Sequence, residues 1–362
     1  MKNILIFLAS ILIVLVIFAF FFGQIDTQNN TFAIDWKNFY PSLQGGDIKY
    51  LSKDGVLFPP WALITLLPLG FLPVQISWGV MAGISTIILL FSVPQIKGKA
   101  LYWISCLLVL ASYPSFRNMA DGNVEGVVIG GVLLMLYGYQ SKNLMATIAG
   151  VIFATIKFQE ISLFLLAWGL FILFTWRPYT YLKIFIPLLM IVGISLLWRG
   201  ETWFAVLIGA GQKYADSVVN ITLSAVSHRI GLPPVLFLCI WVTILIITVA
   251  ILWKIRPTFS REIIGMLIAS SLLLSPYAAT NSVLTVLAIG VIPLFQSSPL
   301  IGGILILLFD IPLLFSADAL YNFQATYWTS LLFITWLILS LRILFLKRVQ
   351  QNPILENALE LD

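Results

Sequence analysis

The chain has 362 residues, of which 60% are hydrophobic and only 10% are charged, and its mean hydropathy is +1.02. This composition excludes a soluble globular domain and predicts a polytopic bundle of membrane-spanning helices. The net charge is +5, and the 2 cysteines and 1 histidine form neither a CxxC pair nor a histidine cluster. A disulfide framework, a thiolate metal site and histidine-based zinc or iron chemistry are therefore not indicated.

Apolar runs define the predicted spans. The first run, Ile4 to Phe22, follows Lys2 and has no small-residue cleavage site after it, which predicts a retained span. The chain as a whole is predicted to be an all-α, polytopic integral membrane protein with about twelve spans, within a range of roughly ten to thirteen. The stretch 144–175 is expected to contain broken helices, because its apolar runs are shorter than the ~20 residues of a perpendicular span. The predicted spans are 3–23, 60–95, 100–116, 122–141, 144–157, 159–175, 183–198, 233–253, 262–275, 282–296, 298–316 and 324–346.

The distribution of lysine and arginine sets the predicted orientation. Basic residues gather at alternate turns, and the positive-inside rule then places both termini in the cytoplasm, with the cell membrane as the expected location. Residues 1–348 are interpreted as a single transmembrane domain and 349–362 as a cytoplasmic tail. Two larger loops, 24–59 and 199–232, fall on the external side with most of the acidic residues. Chemistry is expected on this acid-rich external face.

The first loop is rich in aromatic residues and carboxylates. Residues 35–41 predict a short amphipathic helix at the membrane interface, with Trp36 and Tyr40 as anchors at headgroup level. Pro59-Pro60 then marks the start of the second span. Asp35 at the edge of the hydrocarbon is suited to act as a general base on an acceptor hydroxyl. The residues alone do not decide between this role and the two usual roles of a loop aspartate. Those roles are a helix N-cap and a solvated side chain.

Several cations lie outside the predicted cytoplasmic face. Lys157 stands between two apolar runs, where a cation is costly and is usually paired or functional. One interpretation is a phosphate clamp for an isoprenoid-linked lipid, with Arg229 or Arg117 as helpers. The other is a snorkelling lysine, or a Lys157–Glu160 pair at helical spacing. The residues leave both open.

Three further polar residues are candidates. His228 is suited to bind phosphate or move a proton, although a lone histidine beside arginine is more often structural or solvated. Asp318 is a second carboxylate for the external site, and Asp310 lies deep in an apolar run, where a carboxylate is a functional candidate by default. The chain has no Walker, GxGxxG, GxSxG or HExxH motif, so ATP hydrolysis, nicotinamide chemistry and serine or zinc hydrolysis are unsupported.

Taken in chain order, short motifs over roughly residues 30–295 resemble the DUF2029-type proteins of glycosyltransferase family 87, which are polytopic GT-C transferases of the mannosyltransferase type. The motifs are Asp35-Trp36 with Tyr40, Gly45-Gly46, Tyr50, Phe58-Pro59-Pro60-Trp61 ahead of Pro68 and Leu72-Pro73, Gly122-Asn123, Ala149-Gly150 with Lys157, Asn220 with Ser224 and Arg229, and Leu274-Ser275-Pro276-Tyr277.

The resemblance implies transfer of a hexose, often mannose, from a polyprenyl-phosphate sugar to a lipid or glycan acceptor outside the cytoplasm. It makes Asp35 the general base, and Lys157 and Arg229 candidates for holding the donor phosphate. No metal and no other cofactor is implied; the partners are membrane lipids and the two substrates, not nucleic acid. The chain departs from the family pattern at Gly122–Glu125, which lacks the glutamine of Gly-Gln-x-Asn, and at Phe158, which stands in place of the usual proline.

Other function classes remain open at this point. A transporter, flippase or glycan polymerase also has many spans and external cations, but a transporter should place several ionisable residues at the bilayer midplane, and only Asp310 fits. The chain also departs from the family pattern after Pro276, where residues 277–280, Tyr-Ala-Ala-Thr, occupy the expected Trp/His positions. A non-catalytic membrane subunit with GT-C architecture is compatible with the departures around Gly122 and Pro276.

Overall fold

The computed structural model describes most of the chain. The described residues are 2–25, 32–45, 58–95, 98–199, 203, 217, 219–255, 259–315 and 317–350, with side chains in all of these ranges except 2–4, 199, 317–323 and 349–350. Within them the secondary structure is helical, apart from one isolated antiparallel bridge between Asn220 and Ala279. The prediction of an all-α protein is confirmed. Half of each of the two predicted external loops and the tail residues 351–362 lie outside the described residues.

Six helices of the described part are long and apolar enough to cross a membrane, or up to 7 if one bent pair counts as a span. This agrees with a multi-pass integral membrane protein but does not confirm about twelve spans. Several predicted spans form shorter helices instead, such as Lys99–Ala111 and Ser162–Thr175. The 6 helices are Leu5–Gly23, Val74–Ser92, Pro178–Trp198, Pro234–Ile255, Thr280–Ser297 and Gln324–Arg348.

Prolines and polar residues account for the differences. The predicted span 60–95 is interrupted by a 3₁₀ turn, Leu67–Phe71, next to Pro68 and Pro73, because proline cannot donate a helical hydrogen bond. The expected break in 144–175 is confirmed: a second 3₁₀ segment, Thr155–Glu160, separates two helices there. Inside it Lys157 has a non-helical backbone, with φ −122° and ψ 64°.

Contacts divide the chain into two compact units. The first comprises Met1–Phe158 and Ile172–Gln212, and the second comprises Gln159–Phe171 and Lys213–Asp362. The prediction of a single transmembrane domain stays a prediction. The helices of the first unit are α1 (Lys2–Gly23), α2 (Ile34–Leu43), α3 (Pro60–Leu66), α4 (Val74–Ser92), α5 (Lys99–Ala111), α6 (Tyr113–Asp121), α7 (Glu125–Ser141), α8 (Leu144–Ala154), the end of α9 (Ser162–Thr175) and α10 (Pro178–Arg199).

In the first unit α7 and α8 form a tight hairpin. A Cβ atom at Gly131 would lie 2.2 Å from the backbone nitrogen of Ala154, and one at Gly150 would lie 2.5 Å from that of Met135. The two backbones therefore touch directly, as small residues allow in membrane helix pairs. A glycine also allows close backbone contact between α1 and α4, where a Cβ at Gly79 would lie 2.7 Å from the carbonyl oxygen of Phe18.

The second unit is built around a buried helix. Its elements after the start of α9 are α11 (Leu223–Arg229), α12 (Pro234–Ile255), α13 (Arg261–Leu274), a 3₁₀ turn (Thr280–Ser282), α14 (Val283–Val286), a π-helical turn (Leu287–Val291), α15 (Ile292–Ser297), α16 (Pro299–Asp310) with its 3₁₀ extension (Ile311–Leu314), and α17 (Ala317–Gln350). The helix α13 is buried along almost its whole length and meets the π-helical turn where Gly265 faces Gly290. At the end of α17, Arg342 pairs with Glu262 at 3.2 Å.

The α7–α8 contact generates a stability prediction. Gly131→Ala places a methyl group where the backbone of α8 lies, so we expect it to destabilise the protein by about 1–3 kcal/mol, although alanine otherwise favours a helix. Gly169→Ala in α9 is the matched control, since a Cβ there meets nothing within 4 Å. Thermal unfolding in detergent measures both variants. Equal midpoints for the two would contradict backbone contact between α7 and α8.

Candidate active site

The short helix α2 presents Asp35 at its first turn. The residue before the helix, Ala33, is fully buried and has a left-handed backbone (φ 55°, ψ 30°), and its N–H donates to the carbonyl oxygen of Ala120 at 2.7 Å. A non-glycine residue in this conformation costs about 1–2 kcal/mol, and such strain tends to occur at functional sites. Asp35 itself is half-buried, so its carboxylate keeps access to solvent.

The aromatic residues of α2 face the protein. Trp36 is fully buried and Tyr40 is 7% exposed. The hydroxyl of Tyr40 donates to the carbonyl oxygen of Leu72 and accepts from Nε2 of Gln44 at 2.8 Å, and burial raises the pKa of Tyr40. The prediction of a short amphipathic helix is confirmed, but the prediction that Trp36 and Tyr40 anchor it at headgroup level is wrong, because both side chains pack inside the protein.

Asn123 holds the carboxylate of Asp35. Its Nδ2 donates to Oδ2 of Asp35 at 2.7 Å, and its Oδ1 accepts from the N–H of Val124 at 2.7 Å. The second bond fixes which end of the amide points at the carboxylate. Because Asn123 is buried, at 6% exposure, the geometry of Asp35 is set by the protein rather than by water.

The segment Asp121–Glu125, called the acidic turn below, joins α6 to α7 and bends the chain by 115°. Gly122 ends α6 in the left-handed conformation, with φ +70°. A Cβ there would lie 2.5 Å from Cβ of Trp36 and 3.0 Å from Cδ1 of Trp78. Glycine is therefore required for two reasons, the backbone conformation and the close approach of α2 and α4.

A buried ion pair begins two residues after Asn123. Nζ of Lys157 donates to Oε1 of Glu125, and the two side chains are 6% and 0% exposed. Glu125 lies in the first turn of α7, where the helix dipole favours a negative charge. Removing one partner of such a pair usually costs about 3–5 kcal/mol, because the other charge is left buried.

The hairpin brings these two residues together. The 17 residues of α7 are about 25 Å long, and the 11 residues of α8 with the first half of the 3₁₀ segment extend about 23 Å back. Lys157 thus returns to the level of Glu125. Beside it, Nε1 of Trp61 donates to Oγ1 of Thr155 at 3.1 Å, and the ring of Trp61 lies 5.1 Å from that of Trp203.

A third polar contact belongs to the acidic turn. Nη2 of Arg117 and Oδ2 of Asp121 are 2.8 Å apart, one helical turn from each other. Arg117 is 39% exposed and Asp121 only 6% exposed, so the pair lies at the edge of the site. Of the predicted residues, the first unit holds Asp35, Tyr40, Arg117 and Lys157.

The other predicted residues belong to the second unit. Arg229 ends α11 and donates to the carbonyl oxygen of Ser217, while the side chain of His228 is exposed. Asp318 lies in the first turn of α17, but its side chain is outside the described residues. The site roles predicted for these residues stay predictions.

Polar contacts also order the second unit near Asn220. This residue is fully buried, and its Oδ1 accepts from the N–H groups of Thr222 and Ala278, each at 3.3 Å. Ser282 donates from Oγ to the buried carboxylate of Glu160. Across the part of the chain that the structure describes, no three His, Cys, Asp or Glu side chains are grouped to hold a metal ion.

A comparison with protein families shows the functional class of the protein. The model of glycosyltransferase family 87 matches residues 57–276, which is more than half of the chain.

The chain belongs to glycosyltransferase family 87. It is therefore a membrane glycosyltransferase, as the resemblance of its motifs predicts. The matched range contains Asn123, Glu125, Lys157 and Arg229 and begins after Asp35. Comparisons with curated proteins and with solved structures find no match.

Sequence reasoning did not single out Asn123 or Glu125 as functional. In the sequence, Asn123 belongs to the Gly122-Asn123 motif of the family resemblance, and both residues belong to the departure at Gly122–Glu125. A signal for Glu125 was present: a buried lysine needs an acidic partner, and Glu125 begins an otherwise apolar run. No comparable signal links Asn123 to Asp35, 88 residues away.

Gly122 offers a test of the site geometry. We expect Gly122→Ala to lower stability by more than the ~1–2 kcal/mol of left-handed strain, because the new methyl group also meets Trp36. Gly45→Ala is the matched control, since Gly45 has φ +85° and a Cβ there meets nothing within 4 Å. The thermal unfolding midpoint and the transferase activity are measured for both variants. Equal losses in the two would show that the contact with Trp36 contributes nothing.

Proposed function

We propose that the protein transfers a hexose, mannose-like, from a polyprenyl-phosphate-linked donor to a lipid or glycan acceptor on the external face of the membrane, with Asp35 as general base. The observation that carries this proposal is the carboxylate of Asp35, half-buried, oriented by Asn123 and flanked by the buried ion pair of the same acidic turn. Membership of a glycosyltransferase family supports the reaction class.

The proposed chemistry is a single displacement at the anomeric carbon. Asp35 accepts the proton of an acceptor hydroxyl as the oxygen attacks that carbon, which inverts its configuration. The bond from the anomeric carbon to the phosphate oxygen breaks, and its electron pair leaves with polyprenyl phosphate. Asn123 keeps the carboxylate turned toward the acceptor, so less reorganisation is needed when the proton moves.

The charge on the leaving phosphate calls for cations. In the first unit the proposed contact of the donor phosphate is Lys157, with Arg117 as a further candidate. In the second unit the candidates are Arg229 and His228. An arginine matches phosphate geometry and an ammonium acts as a compact point charge. With these donors the proposed reaction requires no metal and no other cofactor.

Two apolar grooves in the first unit support lipid-linked substrates. One, of about 510 Å³, is lined by side chains of α3, α4, α7 and α8, including Val127 and Phe153. The other, of about 450 Å³, is lined by α1, α4, α6 and Phe32, three residues before Asp35. Both volumes fall in the range of about 300–1,000 Å³ that is usual for ligand pockets.

The proposed orientation has both termini in the cytoplasm of a cell whose plasma membrane holds the protein. The lysines and arginines after the apolar helices, among them Lys254, Lys347 and Arg348, then face the cytoplasm. Asp35 and the acidic turn face outward. A lipid-linked donor suits this side of the membrane.

The general base is tested by Asp35→Asn. We expect the variant to lose about 10²–10⁴ in kcat for transfer from labelled polyprenyl-phosphate mannose in purified membranes, with the fold intact. Glu262→Gln is the control, because it also neutralises a half-buried carboxylate but lies in the second unit. Equal transfer by wild type and Asp35→Asn would remove Asp35 as base.

The role of Asn123 is tested separately. Asn123→Ala removes a hydrogen bond to a charged group, worth about 1.5–3 kcal/mol, so we expect kcat to fall about 10–100-fold with little change in KM. Asn143→Ala is the matched control: it removes the cap of α8, an Oδ1 contact of 3.1 Å to the N–H of Ala146. That variant should lose about 1 kcal/mol of stability and no activity. An unchanged kcat in Asn123→Ala would contradict the orienting role.

A further inference from the structure

The buried pair of Glu125 and Lys157 poses a question for phosphate binding. Lys157, the proposed cation for the donor phosphate, already has a counter-charge, because its ammonium donates to the fully buried carboxylate of Glu125. An ammonium has three N–H donors, so it can bind a phosphate oxygen while it keeps Glu125. The carboxylate then repels the phosphate at short range, where the low dielectric strengthens the repulsion.

The charge of the phosphate changes during the proposed reaction. The donor is a phosphodiester with one negative charge, whereas released polyprenyl phosphate is a monoester, which carries about −1.5 to −2 near neutral pH. An uncompensated buried lysine would therefore hold the product more strongly than the donor. Such a site would release its product slowly.

The chain and the α7–α8 contact set the position of Glu125. It lies two residues after Asn123, so the Cα atoms of the two residues are within about 7 Å of each other. The direct backbone contact of α7 and α8 sets the distance from Glu125 to Lys157. The counter-charge of Lys157 and the residue that orients Asp35 thus both belong to the acidic turn.

We propose that Glu125 is a positioning residue that lowers the affinity of the site for polyprenyl phosphate by neutralising Lys157, and so speeds product release. This inference rests on the proposed function. In this role Glu125 lowers the affinity of the site for product relative to donor. A carboxylate with a purely structural role would not do so.

The test is a graded series at position 125. Undecaprenyl phosphate is the probe, and its Kd is measured for the full-length protein in lipid nanodiscs. We expect Glu125→Asp to bind the probe about 3-fold more tightly than wild type and Glu125→Gln about 10-fold more tightly. In steady-state transfer, kcat should fall and product inhibition should strengthen in the same order. Glu125→Asp keeps a charge opposite Lys157, so it supplies the comparison if Glu125→Gln does not fold.

The double variant Glu125→Gln/Lys157→Met shows whether the effect acts through the lysine. We expect it to bind the probe no more tightly than wild type. Unchanged or weaker binding in both single variants, or tight binding that persists in the double variant, would overturn the inference. A wild-type protein that binds undecaprenyl phosphate but transfers no sugar contradicts the proposed function alone, because the affinity comparison needs no transfer.

Discussion

The left-handed glycine of the acidic turn is the constraint on which the polar arrangement of the first unit depends. Gly122 turns the chain by 115° between α6 and α7, and its missing side chain lets Trp36 and Trp78 pack against the backbone. Three contacts then leave this one turn, toward Arg117, Asp35 and Lys157. A carboxylate and a cation that are far apart in sequence, Asp35 and Lys157, are thereby fixed by the same few residues.

The charged residues around the acidic turn differ in their exposure. The pair of Glu125 and Lys157 is buried, Asp35 is half-buried, and Arg117 reaches solvent. A base must meet its acceptor and the surrounding water, whereas a buried pair acts through its field and through the geometry it imposes. The same turn contacts both kinds of group, because Asn123 binds the carboxylate of Asp35 and Glu125 pairs with Lys157.

Composition and long apolar runs were sufficient for the fold class and for the simplest helices. The span predicted at 3–23 is α1, Lys2–Gly23, and that at 233–253 is α12, Pro234–Ile255. An uninterrupted apolar run has few alternatives in a membrane. The span predicted at 60–95 failed because the prolines near Leu67–Phe71 break it, and the count of about twelve is not confirmed.

The site was only partly accessible from the sequence. Motif order pointed to Asp35 and Lys157, but their partners lie 88 and 32 residues away, and one sequence does not show which distant residues meet. The environment of α2 was misjudged for a similar reason. Aromatic residues on one face of a helix look the same whether that face meets lipid headgroups or the protein interior.

The backbone contact between α7 and α8 also has a consequence for assembly. If the hairpin slipped by one helical turn, about 5.4 Å, Lys157 would lose Glu125 and both charges would be stranded in an apolar interior. Glycines alone permit close approach but distinguish weakly between neighbouring registers, whereas the ion pair is satisfied in only one of them. The buried charges thus favour one register of the hairpin as it folds in the bilayer, the register in which the acidic turn meets Lys157.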